Sequence, residues 1–174
     1  MSTRLIIEAP DPRLKTISTP VEVFDADLQT LIDDMFDTMY AAPGIGLAAI
    51  QVGVPHRLLV IDLQDRDEET DQVVRTPLVF INPEILEASE ELSVYNEGCL
   101  SVPEQYADVA RPASIKAKWL DRDGNAHVEQ IDGMLATCLQ HEMDHLEGIL
   151  FIDRLSKLKR DILVKKLIKM RKAA

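Results

Sequence analysis

The 174-residue chain has only two cysteines, Cys99 and Cys138. Two are too few for a disulfide framework, and no secretory leader precedes Leu5, so reduced thiols in the cytoplasm are expected. Long apolar runs are missing, which excludes a helical membrane span. There is no internal repeat and no low-complexity linker. Positive charge is scarce: the formal net charge is -11, which argues against general nucleic-acid binding. What basic charge exists is bunched at one end. From Arg154 onward there are nine Lys/Arg and a single acid, Asp161, against 10 bases and 29 acids before it.

With 46% hydrophobic residues the chain suits one soluble domain with a real core. Leu28, Leu31, Ile32, Met35, Phe36 and Met39 recur at helical spacing, predicting a helix from Asp25 to Ala41 capped by Asp25 or Asp27. Arg57 to Leu63 reads as a strand, and "PLVFINPEIL" as a second that ends near Asn82-Pro83. Asp65 to Asp71 is an acidic loop, and "NEGCLSVPEQ" reads as loop as well. "SIKAKWL" and "AHVEQI" flank the turn "DRDGN" and predict a strand pair. A helix opens at Asp132 or Gly133, carries Met134 to Glu147 and stops at Gly148. Ser156 caps a last helix whose apolar members are Leu158, Ile162, Leu167 and Ile168. The expected class is α+β: antiparallel strands around a central helix, with an N-terminal and a C-terminal helix. Residues 1–153 form the body, and 154–174 a basic helix of the same domain.

That central helix carries "HEMDHLEG". His141 and His145 lie one turn apart on one face, where two imidazoles can share a cation. Glu142 sits beside them without needing to be a ligand, which suits a general base. A catalytic metal site needs a third protein ligand. The extended protease pattern H-E-x-x-H-x-x-G-x-x-H fits through Gly148 but places Phe151 where its third histidine belongs. No histidine follows His145, so a downstream ligand is poorly supported. Upstream stand His56, His127, Cys99 and Cys138. Cys138 and His145 are about 10 Å apart along the helix, too far for a short thiol to converge, so Cys138 reads as core. Cys99, on a segment loosened by Gly98, is able to meet the helix from across the site.

Three segments resemble the signature motifs of peptide deformylases: "GIGLAAIQ" (44–51), "EGCLS" (97–101) and "HEMDHLEG" (141–148). "INPEI", "VPEQ" and "DRDG" extend the likeness over nearly the whole chain. The resemblance implies hydrolysis of the N-formyl group from the formyl-methionine of nascent peptides, with release of formate. It implies a metal on Cys99, His141 and His145, whose bound hydroxide attacks the formyl carbon, and Glu142 as acid/base. The Gln51 side chain and the Leu100 N–H would be the oxyanion donors. Gly44, Ile45, Gly46, Tyr95, Glu97, Gly98, Met134 and Cys138 are expected at the substrate, and Arg111 near its backbone. The implied ion is Fe2+, with Zn2+, Ni2+ or Co2+ as substitutes, because one thiolate and two imidazoles accept all of them. Relatives with such a basic tail suggest ribosome docking. Two other readings compete: an HExxH metallopeptidase, and a ribosome-associated metal-binding domain without catalysis.

Overall fold

A computed structural model describes residues 2–173. The helices are α1 (Ala26–Ala41), α2 (Gly133–Leu146) and α3 (Lys157–Ala173). The strands are β1 (Gly46–Ala48), β2 (Leu58–Ile61), β3 (Leu78–Ala88), β4 (Leu92–Cys99), β5 (Val102–Pro112), β6 (Ser114–Leu120) and β7 (Ala126–Asp132). Five of them make an antiparallel sheet in the order β1-β2-β3-β6-β7, and β4-β5 form a separate antiparallel hairpin. This is the expected α+β architecture. Among the described residues no helix is long and apolar enough to cross a membrane.

Strand β2 shows how the layers are built. Leu58 and Val60 pack into the α1 cluster, while Leu59 and Ile61 face the α2 cluster. All four are fully buried, so at β2 the sheet is covered on both faces, following the period-two alternation of a strand. The six apolar α1 positions named above are all buried, and Asp25 caps the helix by accepting from the Leu28 N–H at 2.9 Å. Helix α2 ends in a Schellman motif. Gly148 is left-handed (φ 72°), its N–H donates to His145 O, and the Ile149 N–H donates to Asp144 O. A methyl at Gly148 would run into the Lys15 carbonyl, so glycine is required there twice over.

Two expectations fail. "NEGCLSVPEQ" is not a loop but the tip of the β4-β5 hairpin, where Cys99 pairs with Val102 around the turn Leu100–Ser101. Strand β3 does not end at Asn82-Pro83. The register shifts there, Asn82 takes φ 50°, and its amide exchanges hydrogen bonds with Val21 N–H and C=O. A bulge of this kind accommodates a proline without losing a ladder bond. Helix α3 contacts the body through Leu163, Val164 and Leu167, whereas Leu158, Ile162 and Ile168 are exposed. Its N-cap is Ser156, whose Oγ accepts from the Lys159 N–H at 3.3 Å.

Candidate metal centre and active-site cleft

The helix face and the hairpin tip converge. One donor atom from each of Cys99, His141 and His145 lies within 4.8 Å of the other two. Cys99 Sγ is 3.4 Å from His145 Nε2. His141 Nδ1 lies 2.9 Å from Glu97 Oε1 and donates to that carboxylate, which leaves Nε2 as the basic nitrogen turned to the shared point. Glu142 Oε1 is 3.9 Å from His141 Nε2, and Oε2 is 4.0 Å from His145 Nε2. Oε2 is buried and has no hydrogen-bond partner among the described residues. One soft sulfur and two imidazoles fit a tetrahedral transition-metal ion with an open position, and an orphaned carboxylate beside them fits a group that handles its fourth ligand.

A second layer holds these groups. Arg111 clamps Glu97 with two bonds, at 2.7 and 2.9 Å, and reaches Asp144 at 2.8 Å. Arg154 forks onto Asp144 at 2.6 and 2.7 Å. Arg111 and Glu97 side chains are 3% and 5% exposed, so this is an ion pair withdrawn from water. Arg111 therefore does not line the cleft; it stands behind it. Glu97 reaches the cleft wall, but its carboxylate is spent on His141 and Arg111.

The electrostatics follow from burial. Desolvation pushes the Glu142 carboxyl up to about 7, partly opposed by His141 and Arg111. Burial would raise Glu97 too, but His141 and Arg111 hold its pKa below the usual value. Burial and the neighbouring His141 and Arg111 hold His145 well below its usual value, which keeps that imidazole neutral.

Gln51, on the 3-10 turn Ala49–Val52, is 1% exposed. Its Oε1 accepts from Ala48 N–H at 2.9 Å, which orients the amide. Nε2 then donates to Ser101 Oγ at 2.9 Å and points at Cys99 Sγ from 3.6 Å. The amide anchors its loop and faces the ligand group at once.

A cleft of about 750 Å3 opens over His141 and Glu142. Gly44, Ile45, Gly46, Tyr95, Gly98, Leu100, Met134 and Cys138 all line it. Gly46 matters for a particular contact: a methyl there would come within 2.6 Å of Glu142 Oε1. Gly44 likewise leaves room for the Leu100 side chain, at 2.7 Å. Both glycines thus serve close approach inside the protein rather than a turn.

A model of the polypeptide deformylase family matches residues 3–161. The chain belongs to the polypeptide deformylase family. A peptide deformylase of Rhizorhabdus wittichii is 68% identical over 173 residues, covering 99% of this chain and 98% of that protein. The crystal structure of a peptide deformylase from Legionella pneumophila superposes with a TM-score of 0.89 at 47% identity, covering 99% and 97% of the two chains. That of Ehrlichia chaffeensis in complex with actinonin gives 0.90 at 44% identity, covering 98% of each. The family are hydrolases, and the Cys/His/His group here is one that could bind a metal.

Several residues of the site escaped the sequence reading. Tyr106 is 65% exposed on the cleft wall, and a methyl at Gly98 would fall 2.5 Å from its ring. Glu8 and Glu104 add two carboxylates to the same wall. Ser101, Asp144 and Arg154 support Gln51 and Arg111. For Glu104 and Tyr106 the signal is a strand-period pattern through 102–112, masked by Pro103 and Gln105, whereas Ser101 and Asp144 stand inside two of the three motifs.

Proposed function

We propose that the protein hydrolyses the N-formyl group of formyl-methionyl nascent peptides, releasing formate, and that it does so in the cytoplasm. One observation carries this reading. A buried carboxylate with an oxygen that has no partner among the described residues, Glu142, lies about 4 Å from two histidines that share a ligand group with Cys99, in the lining of a cleft. The methionine side chain fits the apolar lining of Ile45, Tyr95, Leu100, Met134 and Cys138. When bound, a divalent cation on Cys99, His141 and His145 supplies Lewis-acid polarisation and lowers the pKa of water. Glu142 takes the proton of the attacking water and returns it to the leaving amine. The Gln51 Nε2 and the Leu100 N–H donate to the oxygen on which charge develops. Glu97 fixes the tautomer of His141, and Arg111 fixes Glu97. We assign Fe2+ as the resident ion, with zinc, nickel or cobalt able to replace it.

Anaerobic purification, metal analysis and a formate assay on a formyl-methionyl peptide test the reading. About one ion per chain is expected. Chelation should abolish formate release, and Fe2+ should restore it. Full turnover by metal-free protein would refute the site. The metallopeptidase reading is disfavoured: Phe151 is buried and stacks on His141, with ring centroids 6.0 Å apart, and supplies no ligand.

We further infer that α3 docks on ribosomal RNA. Its outward face sets exposed Leu158 and Ile162 among exposed lysines. Truncation is a poor test, because Leu167 is buried in the body. Charge reversal at Lys165, Lys166 and Lys169 should weaken ribosome co-sedimentation about tenfold or more at low salt. Unchanged sedimentation would sink the idea.

A further inference from the structure

One wall of the cleft, residues 43–46, is held from outside by a residue with no place in the three motifs. Gln64 follows the end of β2, and its Nε2 donates to the Gly44 carbonyl at 2.9 Å. Its backbone is left-handed, with φ 53°. A long, non-glycine side chain rarely adopts that conformation, so something must enforce it. The enforcing group is Asp62, which is fully buried. Asp62 Oδ1 accepts from the N–H groups of Gln64 and Thr76, both at 3.0 Å. Its Oδ2 accepts from the Tyr40 hydroxyl at 2.5 Å, and the Arg75 guanidinium covers the Tyr40 ring at 4.0 Å. The wall is tied in along its backbone too: the Asp62 N–H donates to Ile45 O, and the Gly44 N–H to Met39 O.

We propose that Gln64 is a positioning residue of this enzyme. Its amide holds the Gly44 carbonyl and so sets the line of Ile45 and Gly46 that faces the substrate. Gln64 bonds none of Glu142, Gln51 or the three ligands. Its loss therefore acts on substrate binding rather than on the chemical step. The proposal rests on the reading that the cleft takes a formyl-methionyl peptide.

The test compares metal-loaded wild type with Gln64→Gly and Gln64→Glu in steady-state kinetics, thermal melting and amide exchange. Glycine removes the amide but relaxes the left-handed backbone. Glutamate keeps the length but turns an acceptor towards the Gly44 carbonyl. Loss of one hydrogen bond should raise KM about fivefold in Gln64→Gly, with kcat within about twofold of wild type. Gln64→Glu should raise KM at least as much. Tm of the glycine variant should stay level or rise, while exchange of the Asp62 amide speeds up. A merely structural role predicts the opposite pattern: a lower Tm and an unmoved KM. KM unchanged in both variants, or kcat falling at constant KM, overturns the proposal. If wild type released no formate, the deformylase reading would fail instead, and the Asp62 exchange rate would still decide whether Gln64 holds the wall.

Discussion

Replacing Glu142 by glutamine or alanine is expected to lower kcat by about 100- to 10,000-fold, the range spanned by positioned acid/base groups. Metal content should stay at the wild-type level. The two expectations separate because Glu142 lies outside the ligand group: its oxygens are 3.9 and 4.0 Å from the histidine Nε2 atoms, whereas Cys99, His141 and His145 converge on one another. KM should move little, since the apolar lining is untouched. Stability should hold or rise, because the change removes a buried carboxylate whose pKa burial has pushed up to about 7. Glutamine is the sharper variant. It keeps the volume packed against Gly46, where even a methyl would come within 2.6 Å of Oε1. Metal-loaded Glu142→Gln with undiminished formate release would end the acid/base assignment.

The largest loss of stability is expected at Arg111. Arg111→Met leaves the carboxylates of Glu97 and Asp144 buried without the guanidinium that satisfies both. Removing one member of such a buried network costs about 3–5 kcal/mol, readable as a fall in the urea midpoint at constant m. Arg154 softens the loss at Asp144, but its side chain is 43% exposed and it does not reach Glu97. The second readout is the metal. Glu97 loses its clamp and holds His141 less firmly, so affinity should fall about 10- to 100-fold. Adding Glu97→Gln to Arg111→Met should cost less than the sum of the single changes, because the two side chains share the interaction. A cost below about 1 kcal/mol for Arg111→Met would show the network to be dispensable.

Much of the fold was written in local pattern. Helix α1 could be read from six apolar residues at helical spacing and an aspartate cap, because helix contacts lie within a few positions of one another. The end of α2 could be read from Gly148 for the same reason. The residues with distinctive chemistry could be read too. Cys99, Gln51, Glu142, His141 and His145 stand in three short motifs whose order matches a known family.

Local pattern misled where pairing or burial decides. "NEGCLSVPEQ" is polar and interrupted by glycine and proline, yet all of it but the turn Leu100–Ser101 is strand, because cross-strand partners rather than intrinsic preference stabilise β4 and β5. The family resemblance places Arg111 near the substrate backbone, yet it does not line the cleft. It is buried because its partners come from elsewhere in the chain: Glu97 from β4 and Asp144 from α2. Gln64 carried no motif at all, and its part depends on a backbone angle and on Asp62, Tyr40 and Gly44 meeting in space. By itself, then, the sequence determined the helices, the family and the candidate ligand group, since periodicity and motif order are properties of neighbours along the chain. The tertiary structure alone decided which charges are buried and what braces the cleft, since desolvation and hydrogen-bond satisfaction depend on groups that only folding brings together.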